Sequence, residues 1–367
     1  MTQRSFFVLL LLTVAAFVAA VAAVWVEQTQ SRPDPAGGES VFPLLVAREA
    51  DIAQVTLESR RWRLVLEKRG DQWFSIDRGD YPVREQPLIE ALDAIIGLTT
   101  LQAKTDNPNL YADIAVGGPG PDTDAVLVRV AAADGTVLAD GILGAVSQSI
   151  GVTPRGGLFV RRSGEAQSWL AEGTVFLPTY LTEWFDPLLS VPGPEIARVT
   201  VLAGDTVMFD AEKVNFATGD YELRYVDPFY QRDGLVAEDN QIRGFAQAVV
   251  STSFDDARAR DSVTAPADAR SVEFTTRDGL RLRVTLVPID DATWVLYDAS
   301  TVDGATAAGQ AQAATIMQNT GAWAFLLPAT RIITLSRPIE QLVTVPAQTR
   351  EPGVFTVPPP AFVPGLP

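Results

Sequence analysis

Apolar positions crowd the start of the chain, where Phe6 to Val26 (FFVLLLLTVAAFVAAVAAVWV) contain Thr13 as their one polar side chain. At about 1.5 Å rise per residue this run spans roughly 30 Å, the thickness of a bilayer core, and it predicts a single transmembrane helix over residues 6–26. Arg4 and the amino terminus precede it and Glu27 follows it. The positive-inside rule therefore places residues 1–5 in the cytoplasm and sends the bulk of the chain to the periplasmic face of the inner membrane. The small residues from Ala19 to Ala23 would suit signal cleavage, but the run exceeds the apolar core of about 7–15 residues usual in signal peptides, which favours an uncleaved anchor.

Beyond the anchor the pattern changes. Residues 27–40 (EQTQSRPDPAGGES) are polar and read as a stalk, and residues 346–367 hold too many prolines for helix or sheet. Between them, period-two alternation recurs. Ile52-Ala53-Gln54-Val55-Thr56-Leu57 opens one series of strands and Ile196-Ala197-Arg198-Val199-Thr200-Val201 opens a second, at an offset of 144 residues. In the first series Arg63 to Lys68 lead through Gly70-Asp71 to Trp73-Phe74-Ser75-Ile76. In the second, Val207 to Phe209 and Asn215-Phe216 lead through Gly219-Asp220 to Tyr221-Glu222-Leu223. Alternation bounded by Gly/Asp turns predicts antiparallel meanders.

A helical period follows each meander. Leu88, Ile89, Leu92, Ile95 and Ile96 form one stripe, and Ile242, Phe245, Ala246, Val249 and Val250 form the other. Hairpins turning at Asp134-Gly135 and Asp278-Gly279 repeat the offset of 144. The expected fold class is α+β: two similar halves, residues 41–190 and 195–345, each an antiparallel β-meander with one covering helix, preceded by the transmembrane helix. Leu188 to Glu195, with Pro192, Gly193 and Pro194, separates the halves.

Composition narrows the chemistry. The 367 residues include no His and no Cys, which removes imidazole- and thiolate-based nucleophiles, His- or Cys-bound zinc, disulfides and a lipoprotein anchor. A net charge of −16, with Lys68, Lys104 and Lys213 as the only lysines, excludes a long nucleic-acid-binding face. No phosphate-binding glycine loop, nucleophile elbow or Ser-x-x-Lys dyad occurs, and Gly117-Gly118-Pro119-Gly120 reads as a loop.

Acidic pairs remain: Asp122 with Asp124, Asp255 with Asp256, and Asp290 with Asp291. Such pairs serve as calcium ligands or as a glycosidase acid and base, but adjacent aspartates in an acidic protein are first of all solvated turns. Trp169, Trp184, Phe185, Trp294 and Trp323 would suit a sugar-stacking groove, and large aromatics in a β-rich chain belong first to the core. Ala305 to Met317 read as a surface helix of high propensity. No catalytic, cofactor-binding or metal-binding residue is assigned.

Val65-Leu66-Glu67-Lys68, Gly70-Asp71-Gln72-Trp73, Leu110 to Ile114, Ile142-Leu143-Gly144, Gly157 to Arg162 and Trp184-Phe185-Asp186-Pro187-Leu188-Leu189, in that order, resemble the DUF4340 family of bacterial proteins. The likeness is clearest from Ala53 to Val201, and departs where Tyr111 is followed by Ala112 and Asp113 in place of the family's Tyr-Gly-Leu-like step. It implies a single-pass membrane protein with an exported β-rich domain, frequently encoded beside an ABC-type transporter, and no catalytic residues. The expected function is that of a non-enzymatic, membrane-anchored extracytoplasmic accessory or scaffold protein of a transport or envelope complex. The alternatives are a periplasmic glycan- or ligand-binding module and, behind it, a carboxylate-based glycan hydrolase.

Overall fold

Buried and exposed side chains alternate along most of the chain, and that alternation produces strands. The computed structural model describes residues 38–147, 156–250 and 252–346. The predicted anchor at 6–26, the stalk up to residue 37 and the proline-rich tail from residue 347 lie outside the described residues.

Helix α1 (Pro43–Ala47) precedes a meander of β1 (Ile52–Glu58), β2 (Arg63–Arg69), β3 (Gln72–Ser75) and β4 (Tyr81–Pro82). After α2 (Glu85–Ile96) the chain continues through β5 (Thr99–Ala103), β6 (Val126–Ala132), β7 (Val137–Ser147), β8 (Gly157–Arg162) and β9 (Ser168–Glu172). These nine strands form one sheet in the order β4-β3-β2-β1-β6-β7-β8-β9-β5.

The later part of the chain carries β10 (Ile196–Ala203), β11 (Thr206–Asn215), β12 (Asp220–Val226), β13 (Val236–Ala237), α3 (Asp239–Gln247), β14 (Asp256–Ala259) and β15 (Arg270–Thr276). It then adds β16 (Leu280–Ile289), β17 (Ala292–Thr301), α4 (Ala307–Thr320), β18 (Trp323–Leu326), α5 (Ala329–Leu335) and β19 (Val343–Thr344). Eight of these strands form a second sheet, in the order β12-β11-β10-β15-β16-β17-β18-β14, and β13 pairs with β19.

This corrects the expected fold class. Strand dominates, at 40% of the described residues, and the sheets have nine and eight strands, so a small meander under one helix is not the unit of construction. The reason is visible in the topology: the strands that follow each helix return to the same sheet and extend it. No helix among the described residues is long and apolar enough to cross a membrane, so the expected transmembrane helix at 6–26 has no counterpart among the described helices. The longest of them is α4 (Ala307–Thr320), whose 14 residues cover only about 21 Å.

The repeat appears in the pairing itself. Val55 faces Val130, Thr56 faces Arg129 and Leu57 faces Val128. At the same offset of 144, Val199 faces Phe274, Thr200 faces Glu273 and Val201 faces Val272. Even the bulges coincide, between Ile52 and Gln54 in β1 and between Ile196 and Arg198 in β10. A bulge inserts an extra residue and increases local twist, so matching bulges fix the same register and the same bend.

The chain divides into two compact units. Among the described residues, the first comprises those up to Leu188 together with Ser253–Val263 and Ala322–Leu326, and the second comprises the remainder. In the first unit Val55, Leu57, Leu64, Leu66, Val128 and Val130 are buried, and α1 packs on β7 through the Val41, Phe42 and Leu45 region. Strands β14 and β18 pair with each other in this unit, where Tyr81 makes edge-to-face contacts with Phe185, Phe254, Trp323 and Phe325 at centroid distances of 4.9–5.7 Å. Each such pair adds about 0.5–1.5 kcal/mol beyond area burial.

In the second unit, α4 lies on β16 and β17 and buries Gly309, Ala313, Ile316 and Thr320. The alanine-rich stretch is therefore a packed helix, started by Thr306, whose side chain accepts from the Gly309 amide at 3.2 Å. Helix α3 packs on β10 and β12 and buries Ile242, Phe245 and Ala246. On the sheet surface Arg198 and Asp210 form a fork, Nε to Oδ1 at 2.7 Å and Nη2 to Oδ2 at 2.6 Å, while the Thr200 hydroxyl donates to Oδ1 at 2.8 Å.

Candidate functional site

An open cleft of about 670 Å³ lies in the first unit. Its first wall is the turn between β1 and β2. Ser59 Oγ accepts from the amides of Arg61 and Trp62, both at 3.2 Å, and the Ser59 amide donates to the Trp62 carbonyl at 2.8 Å. This tight turn leaves Arg60 and Arg61 exposed and Trp62 buried. The Trp62 indole donates to the Thr179 carbonyl at 3.2 Å and its ring meets Trp184 edge-on at 5.6 Å. The first contact holds the segment Val175–Thr179, which forms the opposite wall.

Two further loops close the ends. Asn107 caps a short helical turn by accepting from the Asn109 amide at 3.1 Å, and a second turn, Ala112–Ile114, presents Asp113. The loop before β6 is shaped by Thr123, whose hydroxyl accepts from the Ala125 amide at 3.1 Å, and presents Asp122 and Asp124.

The floor depends on a bulge in β7. Leu143 faces Val160 and Val146 faces Leu158, so Gly144 and Ala145 stand opposite the single residue Phe159. A Cβ at Gly144 would overlap the Ile114 carbonyl oxygen and lie 2.8 Å from Val116 Cγ1, so this bulge requires glycine for the turn to seat. On its other side β7 pairs with β6 only as far as Val126 opposite Leu143. Gly144, Ala145 and Val146 thus continue the strand with β8 alone, and all three line the cleft. Val126, Leu143, Leu158, Val175 and Leu177 supply the apolar lining, and Val146 is 52% exposed.

The charges of the cleft have both signs. Arg60 pairs with Asp124 at 3.0 Å and the Arg61 guanidinium lies over the Tyr180 ring at 5.5 Å. Asp113 and Asp122 have no ion pair among the described residues.

The acidic pairs fall in three separate places. Asp122 and Asp124 rim the cleft. Asp255 and Asp256 sit at β14, where burial raises both carboxyls above the usual range, offset at Asp256 by Arg78 at 3.6 Å. Asp290 and Asp291 form the turn between β16 and β17, with Asp290 in the left-handed region at φ 52°. Among the described residues no group of three acidic side chains is placed to hold a metal ion.

The aromatics do not assemble a stacking groove. Trp184 and Phe185 are buried in the first unit and Trp294 in the second, while Trp323 donates its indole proton to the Gly79 carbonyl at 2.8 Å. Lys104 donates to Gln102 at 2.8 Å, and Lys213, buried, donates to the Pro194 carbonyl at 3.1 Å beside the rings of Phe216 and Tyr221. Burial lowers the pKa of both amines.

Of the cleft residues, Asp122 and Asp124 stand out in the sequence as an acidic pair, while Ser59, Trp62 and the Gly144-Ala145 bulge do not. A Ser-Arg-Arg-Trp turn between two strands and a Gly-Ala step inside an alternating run were the signals available.

The chain matches no protein-family model, no curated protein and no solved structure, which leaves the DUF4340 resemblance and an ABC-type association without support.

Proposed function

We propose that this protein is a non-enzymatic accessory or scaffold protein of a transport or envelope complex, and that it holds a partner in the cleft of the first unit. The observation that carries this reading is the cleft's lining: an apolar floor from β6, β7 and β8 beneath a rim of charges, two of which, Arg60 and Asp124, already neutralise each other at 3.0 Å. Apolar floor and polar rim is the composition of a recognition surface, in which desolvated contacts give affinity and rim charges give selectivity. The kind of assembly rests on the sequence resemblance alone.

Co-purification from detergent extracts tests the reading when it is run on the parent chain and on Val146→Arg, which places a charge at an exposed position of the floor. Partners recovered with the parent and lost with Val146→Arg support the cleft as the contact. An unchanged set of partners, or recovery of the parent alone, contradicts it.

A further inference from the structure

We propose that the cleft takes an extended, basic and apolar segment of a partner polypeptide, added as a strand along Gly144 to Val146 of β7. This inference rests on the reading of the cleft as a partner site and specifies the chemistry of its occupant.

The geometry comes first. Strand β6 ends its pairing at Val126 opposite Leu143, while β7 runs on to Ser147. The edge of Gly144, Ala145 and Val146 on that side therefore has no described strand beside it, and it opens into the cleft. An open edge of sheet beside an apolar floor is the surface that strand addition uses: main-chain hydrogen bonds supply affinity, and pockets take alternate side chains.

The repeat indicates polypeptide as the occupant. At the offset of 144, Val126 corresponds to Arg270, the first residue of β15. In the second unit Arg270 donates from Nε to the Leu335 carbonyl at 3.1 Å and from Nη2 to the Arg337 carbonyl. The start of that strand is thus bound by a segment of the chain itself. Val126 has no side chain able to do this, and the corresponding position of the first unit is part of the open cleft.

Charge selects the sequence. Of the rim groups, Arg60 is neutralised by Asp124 and Arg61 is engaged with the Tyr180 ring, which leaves the Asp113 and Asp122 carboxylates without a cation. A segment alternating apolar and basic residues places the first set on Val126, Leu143 and Leu158 and the second toward Asp113 and Asp122. Strand alternation makes both placements compatible in one extended peptide.

Fluorescence anisotropy with the full chain, at about 0.15 M salt where exposed charges are screened beyond roughly 8 Å, tests the proposal. The probes are three labelled eight-residue peptides alternating lysine with valine, glutamate with valine, and lysine with serine. The lysine-valine peptide is expected to bind saturably and at least tenfold more tightly than the other two. Val146→Arg is expected to weaken it at least tenfold, Asp113→Asn with Asp122→Asn to weaken it and flatten its salt dependence, and N-methylation of alternate peptide amides to abolish binding. Equal binding of the lysine-serine peptide, preference for the glutamate-valine peptide, tolerance of N-methylation, or no binding of any peptide overturns the proposal. If co-purified partners are still lost with Val146→Arg while no peptide binds, the partner site stands and its assigned occupant falls.

Discussion

Gly141 in β7 lies directly against the ring of Phe42, so that a Cβ built on the glycine would come within 3.0 Å of both Phe42 Cζ and the Arg161 carbonyl oxygen. This notch seats the segment leading into α1, whose Val41, Phe42 and Leu45 are buried. Gly141→Ala is expected to lower stability by about 1–3 kcal/mol through overpacking, and Phe42→Ala by about 3–5 kcal/mol through the cavity it leaves. Denaturant unfolding of the two variants checks both values; a Gly141→Ala protein as stable as its parent would mean that the ring yields without cost.

In the second unit α4 lies on β16 and β17. Sequence reasoning saw the repeat because alternation and Gly/Asp turns are local, and the matched registers of β1 with β6 and β10 with β15 follow from them. The stripes locate α2 and α3, but Val249 and Val250 lie beyond a helix that ends at Gln247: there the chain keeps the apolar period with i→i−3 turn bonds in place of helical ones. Sequence reasoning missed the true sheet size because β5 and β14 return beside β9 and β18, a pairing across some seventy residues that leaves no local mark. The cleft was hidden for a related reason: Ser59, Asp113, Gly144 and Thr179 are distant in sequence and meet only through the sheet.

Asp210 is buried to 4% side-chain exposure and holds the Arg198 fork and the Thr200 hydroxyl together. Asp210→Ala is expected to cost about 1.5–3 kcal/mol, the range for hydrogen bonds to a charged group, because it frees three donor groups at once. Buried charges are screened weakly, so that cost should persist when unfolding is repeated at high salt. A loss that disappears with salt would place the pair effectively in solvent.

Asp255 and Asp256 give a pH dependence with a defined sign. Burial raises both folded carboxyls above their unfolded values, so their contribution is fully present below the ordinary carboxylate pKa of about 4 and is lost as pH rises through the folded values. Asp255→Asn with Asp256→Asn is therefore expected to unfold at a higher temperature than the parent at pH 7, with the gap closing as pH falls toward about 4. Asparagine keeps the oxygen that accepts from the Ala257 amide at 2.9 Å, so the substitution isolates the charge. A variant less stable at pH 7 would show that attraction to Arg78, 3.6 Å away, outweighs burial.

Site-specific photocrosslinking in cells tests the partner cleft most directly. A photoreactive residue placed at Val146, on the cleft floor, is predicted to give a discrete adduct with a partner protein, while the same residue at Asp290, in the exposed turn after β16, gives none. Absence of an adduct at Val146, or equal adducts at both positions, would contradict the account.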